Sequence, residues 1–301
     1  MQLWLILALI APALWALVHV LDAYVVRDVF EAPWVGIVTS GFGILAASPV
    51  LSAALFFTGV KPIEWDVAAL AGLAGAAYMV SQVLYFTALR TSESGIVAAY
   101  WNMVPMALPI ASFLMFGEVL TPLMYAGIVV IVSSSVGFCL LDGTHESRWK
   151  TFWLMALGAA LQVAYFLLQK EVFESCPTYQ GFLIITVSMA FVGLTPLLKK
   201  DRRRIWRSNW TRIRPAIGFL LFIEAVNIAA VGTSQFAVQA GRPSLVSAVE
   251  ATMPAYTFFL ALLLFRWTKS MGDEAAGRRL PLKIALSIVM GVGVWLVSGA
   301  S

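Results

Sequence analysis

The sequence is poor in charge and in cysteine. Only 12% of its 301 residues are charged, against about 25% in an average soluble domain, and 60% are hydrophobic. Too few polar side chains remain to cover a water-facing surface, which excludes an ordinary soluble globular protein. The two cysteines, Cys139 and Cys176, lie far apart in the sequence, so it predicts neither a disulfide framework nor a cysteine-ligated metal site.

The apolar segments also lack the motifs of enzymes and pumps. They contain no paired aspartates at mid-membrane and no histidine pair at metal-ligand spacing, and no phosphate-binding loop occurs in the chain. We therefore expect no metal, no other cofactor and no ATP hydrolysis. A membrane-embedded enzyme remains an alternative, as do a channel, which should carry a filter, and a receptor, which should carry an extramembrane domain.

Long apolar runs fill the chain instead. A helix needs about 20 apolar residues to cross a bilayer, and these runs are unbroken rather than alternating, which favours helices over a β-barrel. The sequence predicts an all-α integral membrane protein of ten transmembrane helices. They are Leu3–Leu21 (or on to Val26), Val35–Phe57, Val67–Leu89, Gly95–Phe116, Leu120–Leu141, Phe152–Leu168, Thr178–Leu198, Ala216–Ala237, Pro243–Phe265 and Leu280–Gly299.

The net charge of +4 comes largely from one connection, which also contains Trp206 and Trp210. Its basic residues are Lys199, Lys200, Arg202, Arg203, Arg204, Arg207, Arg212 and Arg214. Arginine, lysine and tryptophan together suit anionic headgroups and the membrane interface, so the predicted partner is the lipid bilayer and not nucleic acid. The odd-numbered connections carry most of the basic residues, which by the positive-inside rule places both termini outside the cell.

The chain shows a weak internal repeat. A shift of 149 residues places Ala88, Val97, Ala99, Pro105, Leu114 and Phe116 on Ala237, Val246, Ala248, Pro254, Leu263 and Phe265, and the first helix matches the sixth at nearly the same shift. This shift equals five helices. Because five is odd, the copies must enter the membrane from opposite sides, so residues 1–146 and 147–301 are predicted to form two inverted five-helix repeats, with a substrate site between them.

Polar side chains cost a few kcal/mol at the bilayer centre, so those that remain should face protein or water. Read at a period of 3.6 residues, they fall on one face of each of six helices. The predicted cavity residues are Trp15, His19, Tyr78, Gln82, Tyr100, Trp101, Asn102, Gln162, Tyr165, Glu224, Asn227 and Glu250. A lone histidine such as His19 is typical of packing, and a proton-coupling role with Asp22 is the alternative.

Two acids and two prolines stand out within these helices. Glu224 and Glu250 should lie deep in the membrane, either to bind a cation or relay protons, or as packing residues hydrogen-bonded to Asn227 and Ser247. Carboxylates facing aromatic rings would suit an amine. Pro105 and Pro254 occupy matching positions in the two copies, either as hinges or as packing bends.

One stretch of the first copy carries a family resemblance. It comprises Ala88-Leu89-Arg90, Gly95–Pro105, Gly117-Glu118-Val119-Leu120-Thr121-Pro122 and Gly127, and it resembles the signature of the EamA-type drug/metabolite transporter superfamily. In the second copy Arg266 and Trp267 replace Gly117 and Glu118.

The resemblance implies a secondary transporter, by expectation an exporter, that carries a small-molecule substrate by alternating access. It implies a multi-pass protein of the cell membrane, the inner one in bacteria, with both termini cytoplasmic, contrary to the charge count. The cargo could be an amino acid, an amine or another metabolite. The sequence fixes neither cargo nor coupling ion, and it leaves a homodimer open.

Overall fold

The computed structural model describes residues 3–53, 55, 59–91, 97, 100–142, 148–267 and 280–299, and within them every regular element is a helix. The α-helices are α1 (Leu3–Asp28), α2 (Pro33–Ala53), α3 (Trp65–Thr91), α4 (Met103–Phe116), α5 (Pro122–Asp142), α6 (Arg148–Ser175), α7 (Thr178–Leu194), α8 (Lys200–Ala240), α9 (Pro243–Glu250), α10 (Met253–Trp267) and α11 (Leu280–Gly299). A short 3-10 helix, Thr195–Leu198, continues α7.

Seven helices of the described chain are long and apolar enough to cross a membrane: α1, α2, α3, α6, α7 with its 3-10 extension, α8 and α11. The helix α4 and the Pro122–Phe138 part of α5 are apolar but shorter. The predicted all-helical membrane architecture is confirmed, while the count of ten crossings stays a prediction.

The eighth helix is much longer than its apolar run. The sequence predicted a helix over Ala216–Ala237 after a basic connection, whereas α8 begins at Lys200 and has 41 residues. At about 1.5 Å per residue it is roughly 60 Å long, about twice the thickness of the hydrocarbon core. Arginine and lysine favour helix, so the basic segment simply extends α8 beyond the apolar region, which a hydropathy pattern cannot reveal.

The ninth predicted helix is two helices. The run Pro243–Phe265 was expected to be continuous, but α9 ends at Glu250 and α10 begins at Met253. Proline has no N–H, so Pro254 cannot donate to the Glu250 carbonyl four residues earlier, and the hydrogen-bond ladder is interrupted there.

A matching interruption occurs in the first half of the chain. Asn102 is a turn residue between helical Trp101 and α4, three residues before Pro105, just as Ala251 precedes Pro254 by three. The predicted continuous helix Gly95–Phe116 is therefore also broken. Residues 95, 96, 98 and 99 lie outside the described residues.

The helices pack in pairs, α3 with α6, α1 with α8, α2 with α7, and α5 with α11. The pair of α5 and α11 depends on two glycines in contact. A Cβ added to Gly127 would lie 2.8 Å from the Gly293 carbonyl oxygen, and a Cβ added to Gly293 would lie 2.6 Å from Ile131 Cγ1. The two backbones therefore approach as closely as small residues permit, which is how helices commonly associate in membranes.

We expect Gly293→Ala to destabilise the protein by about 1–3 kcal/mol, because the added methyl overpacks this contact. Gly291→Ala is the matched control on the same helix, since a Cβ there would meet nothing within 4 Å. Thermal unfolding in detergent measures both. Equal unfolding temperatures for the two variants would contradict the close approach of α5 and α11.

Candidate functional site

A polar cavity with a volume of about 110 Å³ lies at the centre of the helices, beside the two interruptions. Ten of the twelve predicted cavity residues line it, drawn from α1, α3, α6, α8, α9 and the segment just before α4. They are Trp15, His19, Tyr78, Gln82, Trp101, Asn102, Gln162, Glu224, Asn227 and Glu250. Pro105 also lines the cavity, whereas Pro254 lies at the start of α10 outside its lining.

Two predicted residues lie behind the cavity lining. The Tyr100 ring packs edge-on against Phe152, with 5.7 Å between ring centroids. The Tyr165 hydroxyl accepts a hydrogen bond of 3.0 Å from Gln235 Nε2. The centroid of its ring lies 5.2 Å from that of Tyr78, with the two ring planes tilted by 57°. Neither residue is among the lining residues of this cavity, and a role for them in substrate binding stays a prediction.

The two glutamates are buried and differ in their partners. Glu224 is 5% exposed and Glu250 is 9% exposed. Asn227 Nδ2 donates to Glu224 Oε1 at 3.4 Å, so the pairing expected of a packing residue is present at this acid. Ser247 donates instead to the Ser244 carbonyl, and Glu250 Oε1 has no hydrogen-bond partner among the described residues. Glu250 therefore differs from Glu224 in having one carboxyl oxygen that is buried without a hydrogen-bond partner among the described residues.

A third acid, Asp22, was not among the predicted cavity residues. It is 9% exposed and lines the cavity with Glu224 and Glu250. The sequence named it only as a possible partner of His19, from its place one turn further along the face that also carries Trp15. The predicted apolar run ends just before it, whereas α1 continues to Asp28.

Hydrogen bonds and ring contacts hold the neutral lining residues in place. Gln162 Nε2 donates to Ser81 Oγ at 2.8 Å, and that hydroxyl donates to the Tyr78 carbonyl at 2.6 Å. Asn102 Nδ2 donates to the Ser135 hydroxyl. These bonds tie α3 to α6 and the α4 interruption to α5, so the amides have fixed orientations toward the cavity.

The ring of His19 packs against an aromatic residue. Its ring lies 4.8 Å from the ring of Tyr85, which in turn lies 5.8 Å from Trp101. These three rings form an aromatic cluster in the cavity lining. The contact fits the packing reading of His19, and its participation in proton coupling stays a prediction.

Acidic side chains outnumber basic ones in the cavity lining. Three carboxylic acids line it, and neither lysine nor arginine is among the lining residues that the structure describes. No group of three histidine, cysteine, aspartate or glutamate side chains in the described chain has the geometry of a metal site. Acids next to aromatic faces attract an organic cation through charge pairing and cation–π contact.

The α2 backbone forms one wall of the site at Gly43. A Cβ placed on Gly43 would lie 2.5 Å from Glu224 Cγ and 3.0 Å from Glu224 Cβ. The glutamate stem therefore occupies the space that any other residue at position 43 would need. This contact could not be predicted from the sequence, because the two residues lie on different helices.

Glu118 lies outside the cavity, in the connection that follows α4. Ser244 donates a hydrogen bond of 3.0 Å to Glu118 Oε2, and Arg242 donates to the Val119 carbonyl, also at 3.0 Å. Partial burial raises the pKa of the Glu118 carboxyl above its ordinary value. The residue thus links the end of α4 to the start of α9.

Comparison with known proteins agrees with the predicted family. Residues 2–140 match the model of the EamA-like transporter family. No curated protein matches the sequence. Among solved structures, one titled only "Crystal structure of protein" aligns with a TM-score of 0.68 and 17% identity over 98% of both chains, which supports the fold alone. Residues 2–140, just under half of the chain, are therefore similar to the EamA-like transporter family.

Proposed function

We propose that this membrane transporter is a secondary transporter that exports a small amine or a similar organic cation, driven by an ion or substrate gradient. The observation that carries the proposal is the set of side chains lining the cavity, where Asp22, Glu224 and Glu250 occur together with aromatic residues and without lysine or arginine in the described lining. A cation would replace part of its hydration with carboxylates and ring faces. The protein would act in the cell membrane, the inner one in bacteria.

The proposed architecture is ten crossings in two inverted repeats, 1–146 and 147–301. The packing of the helices supports this architecture. The counterpart of α3 in the other repeat is α8, and that of α6 is α1. Replacing each helix by its counterpart turns the α3–α6 pair into the α8–α1 pair, and both pairs are in contact. The pairs of α2 with α7, and of α5 with α11, map onto themselves under the same exchange. The interruptions before Pro105 and Pro254 also correspond. Transporters of this kind bind substrate where broken helices meet between the repeats.

The two proline interruptions would act as hinges for alternating access. We expect Pro254→Ala to lower the maximal transport rate several-fold with little change in apparent affinity, because an alanine N–H can bond to the Glu250 carbonyl and stiffen the segment. Concentration dependence of uptake in proteoliposomes separates the two parameters. Pro215→Ala, at a proline inside α8 and outside the cavity, is the control. A wild-type maximal rate in Pro254→Ala would contradict a hinge there.

Counterflow tests the function itself. Proteoliposomes preloaded with an unlabelled candidate amine should transiently accumulate the labelled form of that amine above its equilibrium level. An isosteric neutral alcohol should not be accumulated. A channel would equilibrate the label without overshoot, and an enzyme would change it chemically. Equilibration without overshoot, chemical change of the label, or an absence of counterflow across a panel of small organic cations would overturn the proposal.

A further inference from the structure

A second concave surface lies on the outside of the bundle, between α2 and α8. It is a groove with a volume of about 550 Å³. Its floor is apolar, with Phe42 and Ala46 from α2 facing Ile213, Ile217 and Leu221 from α8. The three α8 residues recur every four positions, so they form one stripe along the helix.

One end of this groove has a different chemistry. Trp206, Arg207 and Trp210 close it, and the rings of Phe42 and Trp206 lie 5.6 Å apart. The Arg207 side chain is exposed and makes no salt bridge to any residue that the structure describes. This end belongs to the basic first part of α8, which carries the helix beyond its apolar span. The groove therefore runs from an apolar interior to a cationic, aromatic rim.

We propose that this α2/α8 groove is a binding site for an anionic phospholipid. One acyl chain lies along the apolar stripe, the phosphate pairs with Arg207, and the two tryptophans contact the interfacial region of the lipid. Charge complementarity decides the occupant: eight lysines and arginines but only one acid, Asp201, lie between residues 199 and 214. Anionic headgroups are attracted to such a segment, and a zwitterionic lipid gains little there.

The groove shares a wall with the candidate site. Gly43 lines the groove, and Glu224, whose Cγ would be 2.5 Å from a Cβ at that position, lines the central cavity. A bound acyl chain would thus rest against the same stretch of α2 that supports Glu224. This lipid site stands independently of the transported substrate, since it depends only on the outer surface of the bundle.

Native mass spectrometry of the full chain in detergent tests the site directly. Phosphatidylglycerol and phosphatidylcholine with identical acyl chains are added in competition, and phosphatidylglycerol should be retained preferentially. Arg207→Gln should reduce this preference about fivefold. Arg203→Gln is the matched control, because Arg203 is exposed in the same basic segment but does not line the groove. Equal retention of the two lipids, or equal loss in both variants, would overturn the proposal.

A second variant tests the groove without a change of charge. Ala46→Phe places a ring on the floor of the groove, so phosphatidylglycerol retention should fall although every basic residue remains. Wild-type retention in this variant would show that the lipid binds elsewhere and would refute the site. Circular dichroism and size-exclusion chromatography verify that each variant is folded. Lipid binding is read without any transport measurement, so its failure is distinguishable from failure of the proposed function.

Discussion

Glu224→Gln and Glu250→Gln should each lower the initial rate of amine counterflow by more than about a hundredfold. Glutamine keeps the shape of the side chain but removes its charge. Loss of one partner of a buried charge pair costs about 3–5 kcal/mol, because the other charge is left unpaired in a low-dielectric site. The measurement is uptake of labelled amine into proteoliposomes that contain equal amounts of reconstituted protein.

Glu174→Gln is the control for this pair of variants. It makes the same chemical change at a residue on the outside of α6, where Glu174 is 56% exposed and lies 3.6 Å from Lys170. Exposed pairs of this type contribute about 0–1 kcal/mol, so transport should stay near wild type. Wild-type rates in both cavity variants would exclude the two carboxylates from substrate binding and leave them as packing residues.

The cavity lining could be predicted from the sequence because the membrane imposes a strong constraint. An amide or carboxyl such as Gln82, Gln162 or Glu224 must avoid lipid whatever the details of the fold, so polarity and helical spacing together identify its direction. Tyrosine is less constrained, since its ring packs as an apolar group and its hydroxyl needs only one partner. The Tyr100 ring packs against Phe152, and the Tyr165 hydroxyl accepts a hydrogen bond from Gln235, so both residues lie behind the cavity lining.

Features that depend on backbone geometry or on distant contacts could not be predicted in this way. Hydropathy identified where α8 is apolar, but not that the helix starts at Lys200, because a helix can continue from lipid into the interface without any apolar signal. The break between α9 and α10 falls inside an apolar run. Pro254 signalled a bend there, but proline permits either a kink or a complete interruption, and tertiary packing selects between them.

We expect Gly43→Ala to reduce the transport rate about a hundredfold, because a misplacement of roughly 1 Å costs an active site about that factor. The new methyl carbon would lie 2.5 Å from Glu224 Cγ and 3.0 Å from its Cβ, and the Cβ is fixed by α8, so the glutamate must turn away or the helices must separate. Counterflow rates and thermal unfolding measure the two consequences. Gly218→Ala, on the same helix as Glu224, is the control, because a Cβ there meets nothing within 4 Å.

A double-mutant cycle separates the position of the carboxylate from general damage to the bundle. In a Glu224→Gln background, Gly43→Ala should still lower the unfolding temperature, because glutamine fills the same space, yet it should cause little further loss of transport. In a Glu224→Ala background the clash with Cγ disappears, so Gly43→Ala should cost less stability than in the wild type. If Gly43→Ala lowered transport and stability equally in all three backgrounds, Gly43 would affect them through a contact other than that with Glu224.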